Sequence, residues 1–362
     1  EIFSREDVSF EIFKKLVKSG SKVLDKTKDF DRIKRLAEQN NWDLVAKKGK
    51  TKDIALLARD LYIERILGFI TCSNLDKLTV LANCGNGVVE PVLKRVVKKI
   101  EDKGSRVEFL LINEEPMASP KYGIPNPLIE FNQNQTSDAV RKFNADIGVA
   151  FDGDFDRCFF FDDQGRFISN NFIVGLIAEI LLLKEPYCKI VHDLRVYWNI
   201  EELVKEMNAD TIISKVGHTH FKQSMRNNSA LYGGEFSGHH YFRDFSFCDS
   251  GLIPLLLVAE HLCKSDLSLS RALEKYTSRY ATSNEINFSV NDADRCIQKV
   301  KDFYSESAQK IDFFDGLSIN FPDWRFNLRK SGTEQVLRLN LEFKADFKHS
   351  SRIIRNMTDL IS

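Results

Sequence analysis

Two successive α/β units followed by a small α+β unit form the fold class that this 362-residue chain predicts, and three observations predict it. From residue 77 onward short apolar runs alternate with amphipathic stretches of helical spacing; the cycle occurs twice; and the chain closes on a strand-rich segment. A helical region precedes all of this.

Residues 1–66 alternate charged and apolar positions at helical spacing, as in DFDRIKRLAEQNN (29–41) and TKDIALLARDLYIERILGFI (51–70), and predict helices without a sheet. The strand KLTVLANCGNG (77–87) then leads into helix 88–104, strand 106–113, a helix near 136–144 and strand 145–151. The second cycle runs helix 172–184, strand 188–193, helix 198–207, strand 210–216, helix 218–226 and strand 230–235. Helices at 250–264 and 267–280 follow, and TSRYATSNE (277–285) reads as a linker. The last unit predicts strand INFSV, helix DADRCIQKVKDFYSES, strands GLSINFP and VLRLNLEF, and helix SSRIIRNMTDLI. No residue-level repeat accompanies the repeated plan.

The 52 basic residues balance 52 acidic ones, so no overall field draws nucleic acid or an anionic membrane, and charged ligands must be held by local clusters. Seven cysteines form no CxxC pair and no regular framework, which points to a reducing cytoplasm. The apolar stretches 172–183 and 251–262 are too short to span a bilayer and each contains a glutamate; they predict buried helices. The chain opens on Glu1 rather than methionine, from which a missing N-terminus is expected.

FDGDFDRCFFFDD (151–163) carries the sharpest chemistry. Asp152, Asp154 and Asp156 alternate at a strand end, where a curled backbone converges their carboxylates. Unpaired, they repel one another; a hard divalent cation with oxygen preference, Mg²⁺ above all, offsets that cost. An EF-hand needs glycine at its sixth position, where Arg157 stands, so that reading fails. A solvated acidic turn is the alternative, disfavoured by the apolar flanks.

Three further clusters stand at predicted strand ends. GGEFSGHH (233–240) sets Glu235 and Ser237 among glycines, an array suited to neighbouring sugar hydroxyls, while His239 and His240 also read as satisfied histidines. RKSGTEQ (329–335) offers Arg329, Ser331, Gly332 and Thr333 to a phosphate dianion, or else is an exposed basic turn. SKVGH (214–218) adds Lys215 and His218, a cation and a titratable ring. CGNG (84–87) suits an anion at a helix start and, more often, a tight packing turn.

Taken in order, AFDGDFDRCFFFD, KIVHDLR, SKVGH, YGGEFSGHHYFRDFSFCDSG, EIN, FPDWRFNLRKSGTE and VLRLNLE resemble the phosphohexomutase superfamily, over roughly residues 75–362 and most closely its bacterial phosphomannomutase branch. The resemblance implies a remnant of a first α/β domain (1–70), domains with mixed sheets at 71–168 and 169–280, and a small α+β domain at 281–362. It further implies Mg²⁺ on Asp152, Asp154 and Asp156; Arg157, Lys215, His218 and His239 near the reacting groups; Glu235 and Ser237 on the sugar; and Arg329, Ser331, Gly332 and Thr333 on the idle phosphate. The implied reaction interconverts mannose 6-phosphate and mannose 1-phosphate through a phosphoserine and a hexose bisphosphate, in the cytoplasm, with hexose phosphates as the partners and neither nucleic acid nor membrane.

Departures set the alternatives. The family's phosphate loop has asparagine where Gly332 stands and proline where Gln335 stands, and EEPMASPKY replaces an Asp-Gly-Asn-Phe-Pro type of segment. The family's Thr-Ala-Ser-His-Asn-Pro nucleophile loop occurs nowhere in the 362 residues; Ser4 and Ser9 lack its neighbours. A hexose-phosphate-binding homologue without catalysis is therefore the alternative from another class, and a glucose or glucosamine mutase the alternative within it.

Overall fold

The computed structural model describes residues 29, 31–40, 52–117, 123, 125–331 and 335–361, together with the backbone of short strands at 17–18 and 22–23. Ser4, Ser9, Gly332 and Thr333 lie outside the described residues.

In the first sheet Thr79–Asn83 lies between Glu108–Ile112 and Ile147–Phe151, parallel to both, and Cys158–Phe161 runs antiparallel along the far side of Ile147–Phe151. Its strand Thr79–Asn83 is apolar at its three middle positions because both faces are covered. Val80 and Ala82 meet Val92, Leu93, Val96 and Ile100 of helix Glu90–Glu101, whereas Leu81 meets Ala139 and Val140 of helix Glu130–Phe143.

The second sheet repeats the plan with Lys189–His192 between parallel neighbours Asp210–Ile213 and Tyr232–Gly234, then extends antiparallel through His240–Phe242 and Cys248–Asp249. Helices Asn170–Lys184 and Leu252–Ser265 are buried almost all round, and one continuous apolar core runs through both units. No helix among the described residues is long and apolar enough to cross a membrane.

Helix Ala55–Leu67 joins this core through Ile63, Ile66 and Leu67. The turn that follows is pinned by Glu260, only 2 % exposed, whose Oε1 accepts the Thr71 N–H (2.8 Å), Asn74 Nδ2 (3.0 Å) and Lys264 Nζ (2.9 Å) and whose Oε2 accepts Lys184 Nζ (3.1 Å). Burial alone would raise that carboxyl, but these donors outweigh it and hold it down at about 2.

The last unit is an antiparallel sheet in the order Tyr280–Thr282, Val336–Lys344, Trp324–Lys330, Leu317–Asn320, Lys310–Asp312, with Ile286–Ser289 also paired to Val336–Lys344. One face, with Phe326, Leu328, Leu337, Leu339, Leu341 and Phe343, forms a separate core with helices Ala293–Tyr304 and Ser350–Ile361. The other face pairs Arg325 with Glu342, Asn327 with Asn340 and Arg329 with Arg338, and most of these side chains are buried too.

That polar face meets the second unit. Glu342 accepts Asn171 Nδ2 (2.8 Å) and the N–H groups of Tyr197 (3.0 Å) and Trp198 (3.3 Å) at the start of helix Trp198–Glu206, and Arg325 Nη1 (2.5 Å). Arg325 also donates to Leu194 O (2.7 Å) and lies 4.4 Å from the centre of the Tyr197 ring.

Four expectations need correction. The 1–66 region is not purely helical, since Val17–Lys18 pairs with Lys22–Val23. The expected linker contains strand Tyr280–Thr282, held at the sheet edge by Val336–Lys344. Trp324–Lys330 is a full central strand; its alternate Arg, Asn and Arg mimic a solvated segment but face another domain. The short strands His240–Phe242, Cys248–Asp249 and Lys310–Asp312 were also unforeseen, being too brief for a period-2 signal to register.

Candidate active site

The carboxylate loop leaves the buried strand Ile147–Phe151 and returns as Cys158–Phe161, turning at Phe155 with φ +49°. It rests on the CGNG turn: the Val88 N–H donates to Gly153 O (3.1 Å), and a Cβ on Gly87 would stand 2.4 Å from the same oxygen. CGNG is thus a packing turn that fits the loop in place.

Asp152 is buried and closes the loop internally, its Oδ1 accepting the Arg157 N–H (3.1 Å) and its Oδ2 accepting Arg157 Nε (2.7 Å). Asp154 is exposed and Asp156 partly so. One oxygen from each of the three aspartates lies within 4.8 Å of the others. Burial raises the Asp152 carboxyl above its usual value; Arg157 opposes the rise and the Asp156 charge adds to it. Three converging hard oxygens with this mutual repulsion fit a divalent cation.

The glycine-rich loop lies alongside. Arg157 and His239 pair backbone to backbone, and the Cys158 N–H donates to Gly238 O (3.3 Å). Gly238 has φ +89°, and a Cβ there would stand 2.7 Å from Phe159 Cζ. Glu235, 1 % exposed, is engaged on every side: Oε1 accepts Tyr241 OH (2.5 Å), and Oε2 accepts Ser237 Oγ and the Gly217 N–H (3.3 Å each), with Arg195 Nη2 at 3.7 Å. Ser237 is half-buried and presents the more reachable polar group.

His239 Nδ1 lies 3.2 Å from Asp249 Oδ2 and 3.8 Å from Asp156 Oδ1, and Lys222 Nζ anchors Asp249 at 2.8 Å. Burial disfavours the imidazolium, but Asp249, Glu235 and Asp156 together outweigh it and raise the His239 value. His240 is a core histidine: Nδ1 meets Tyr232 OH at 2.6 Å, Nε2 is buried without a partner among the described residues, and burial pushes its value down to about 3.

The third cluster stands nearby in part. His218 begins helix His218–Asn228, one residue beyond the Gly217 N–H that Glu235 accepts. Lys215 is exposed and lies 5.8 Å from the centre of the Phe314 ring in the last unit. Arg329, 8 % exposed, lies 3.9 Å from Glu285 Oε2, and its buried Nε has no hydrogen-bond partner among the described residues. Burial, with repulsion from Arg195, lowers its guanidinium to about 10. The Ser331 N–H donates to Val336 O at 2.9 Å.

Residue-by-residue reading missed the centre. Asp193 forks Arg195 (Oδ1 to Nε 3.0 Å, Oδ2 to Nη2 2.8 Å) and accepts the Phe236 N–H (3.1 Å). Arg195 then reaches Glu285 at 3.3 Å, which Arg338 approaches at 3.2 Å. The signal was the Asp-Leu-Arg spacing at a strand end, singled out only as part of a family stretch. Asp249 was likewise only part of a family stretch, and Lys222 had no signal, since each gains its meaning from a neighbour distant in sequence.

The comparisons agree with this architecture. Profiles described as "Phosphoglucomutase/phosphomannomutase, alpha/beta/alpha domain II", "alpha/beta/alpha domain III" and "C-terminal domain" match residues 60–165, 169–280 and 285–359. The chain is 42 % identical over 350 residues to a phosphomannomutase of Salmonella typhimurium and 41 % identical over 350 residues to one of Escherichia coli K12, covering 96 % of this chain and 76 % of each relative. A crystal structure of a phosphoglucomutase/phosphomannomutase family protein from Burkholderia thailandensis superposes with a TM-score of 0.77 at 24 % identity, covering 91 % of this chain and 69 % of that one, and so shares the fold.

Proposed function

The chain belongs to the phosphoglucomutase/phosphomannomutase family, and we propose that it supplies the metal, sugar and phosphate contacts of a phosphomannomutase, which interconverts mannose 6-phosphate and mannose 1-phosphate through a phosphoserine and a hexose bisphosphate. One observation carries the reading: an unbroken succession of contacts links the carboxylate loop to the phosphate loop. It runs from Asp156 to His239 (3.8 Å), by ring stacking to Tyr241 (6.1 Å between centroids), to Glu235 (2.5 Å), Arg195 (3.7 Å), Glu285 (3.3 Å) and Arg329 (3.9 Å).

Asp152, Asp154 and Asp156 would hold Mg²⁺, which supplies charge neutralisation for a phosphoryl group in transfer. Arg157, fixed by Asp152, directs a cation toward that group. His239, whose protonated form Asp249 and Asp156 favour, stabilises charge on the reacting oxygen or lends it a proton. Ser237 meets the sugar hydroxyls while Glu235, saturated by protein donors, holds Ser237 and the Gly217 amide in position. Arg329 and Ser331, with Gly332 and Thr333, grip the idle phosphate; an arginine already weakened by burial gains most from a dianion. His218 stands beside the Gly217 amide that Glu235 holds, while Lys215, turned toward Phe314, takes no part in this arrangement. Hexose phosphates are the partners, and seven unpaired cysteines favour the cytoplasm.

The 362 residues contain no Ser-His-Asn-Pro loop, and covalent transfer needs its serine. By itself the chain should therefore bind Mg²⁺ and mannose 6-phosphate without steady formation of mannose 1-phosphate. Calorimetric titration with each ligand tests this. Asp154→Ala, at an exposed position, should weaken Mg²⁺ by about tenfold or more and leave the thermal melt unchanged. Equal Mg²⁺ affinity in the variant rejects the metal assignment.

A further inference from the structure

The carboxylate loop turns on a residue that resists the turn. Phe155, between Asp154 and Asp156, stands at φ +49°, the left-handed region, where a side chain crowds its own backbone. Unless something holds it there, an L-residue prefers to leave that region by a factor of roughly ten, whereas glycine stays without strain. The reversal at Phe155 nevertheless folds the loop back so that oxygens of Asp152, Asp154 and Asp156 converge within 4.8 Å of one another. Something outside the loop must hold it.

Two neighbours do so. The Gly251 N–H donates to Phe155 O (3.1 Å), and a Cβ on Gly251 would stand 2.8 Å from that oxygen and 2.7 Å from Arg157 O, so the loop lies flat on the start of helix Leu252–Ser265. The second neighbour is Tyr62 of helix Ala55–Leu67, whose ring meets the Phe155 ring edge to face, with centroids 6.3 Å apart and planes at 73°. Tyr62 also packs edge to face on Phe245 (5.9 Å), and its hydroxyl meets Ser250 Oγ (3.3 Å). Ser250 Oγ in turn accepts the Ile253 N–H (3.4 Å) and follows Asp249, the partner of His239. All three rings are only partly buried. Their position beneath the loop sets them apart from the fully buried core on which they rest.

We propose that Phe155 is a positioning residue for the metal loop and that Tyr62, from the N-terminal helix, locks it in the left-handed conformation. The lock acts on populations. Only the reversed loop presents three converging oxygens, and the apparent affinity for a divalent cation falls with the fraction of molecules that hold that shape. This consequence for the metal rests on the function proposed above; the lock itself rests on the contacts of Phe155.

The test combines calorimetric titration of the full chain with Mg²⁺ at 25 °C and thermal melts without metal. Phe155→Ala keeps the backbone strain and loses the ring, so it should bind Mg²⁺ about tenfold more weakly than the parent chain. Phe155→Gly loses the ring and the strain together and should stay within about threefold of the parent. Tyr62→Ala should weaken Mg²⁺ by about tenfold, and Tyr62→Phe, which keeps the edge-to-face contact, should restore it to within about twofold. Packing that serves only the core would lower the melts and leave the Mg²⁺ affinity of the folded variants alone. Parent-like Mg²⁺ affinity in folded Tyr62→Ala, or Phe155→Gly binding no better than Phe155→Ala, overturns the proposal. If the parent chain takes up no Mg²⁺, the metal assignment is rejected and the melts decide the lock. Phe155→Gly melting above Phe155→Ala, with less-than-additive losses in the Tyr62→Ala/Phe155→Ala double variant, sustains it; the reverse order or full additivity overturns it.

Discussion

Replacing Glu342 with alanine removes one carboxylate and strands four donors. Asn171 Nδ2 at 2.8 Å and the Tyr197 and Trp198 N–H groups at 3.0 and 3.3 Å lose their acceptor, and Arg325, 2 % exposed, loses its counter-ion at 2.5 Å. Breaking a buried ion pair from one side costs about 3–5 kcal/mol. Arg325 keeps Leu194 O at 2.7 Å, Asn320 Oδ1 at 3.2 Å and the Tyr197 ring, so the lower end, about 3 kcal/mol, is the expected loss. Glu342→Gln keeps the acceptor geometry and should lose about 1–2 kcal/mol. The double variant Arg325→Met/Glu342→Leu should recover much of the alanine deficit, since neither charge then remains buried. Urea unfolding followed by tryptophan fluorescence suits the question, because Trp324 sits in the last unit's core and Trp198 at the seam. A loss below about 1 kcal/mol for alanine, or identical losses for alanine and glutamine, would refute the reasoning.

Two further outcomes follow from other parts of the molecule. The Glu260 carboxyl is held at about 2, below its unfolded value, so it stabilises the fold fully above pH ~4.5 and that contribution drains away as the pH falls toward 2. Thermal melts of the chain and of Glu260→Gln should therefore converge across that window, and a gap that stays constant from pH 5 to about 2.5 counts against the pinned turn. Gly87→Ala forces a methyl to within 2.4 Å of the Gly153 backbone oxygen and should cost about 1–3 kcal/mol while weakening Mg²⁺ through a displaced carboxylate loop. An alanine variant with unchanged melt and metal affinity would show that the two turns are not locked together.

The α/β cycles were legible because the strands of the first sheet are mostly apolar on both faces and the helices that cover them are amphipathic; both are patterns within a dozen residues. The aspartate triplet was legible for the same reason, being contiguous. What stayed hidden was decided between domains. Trp324–Lys330 looks half solvated, yet its Arg325, Asn327 and Arg329 are buried because another unit lies against them. Glu235 looked like an open ligand reader; Tyr241, Gly217 and Arg195, each from a different stretch of chain, turn it inward. Lys215 sat beside His218 in sequence, but the loop carries its ammonium toward Phe314.

The last unit keeps its own oily interior and touches its neighbour across a layer of ion pairs and amides. Parting such a seam would wet charges that water solvates well and bare little grease. The joint is therefore held by groups that water could satisfy in their place, rather than by buried apolar area.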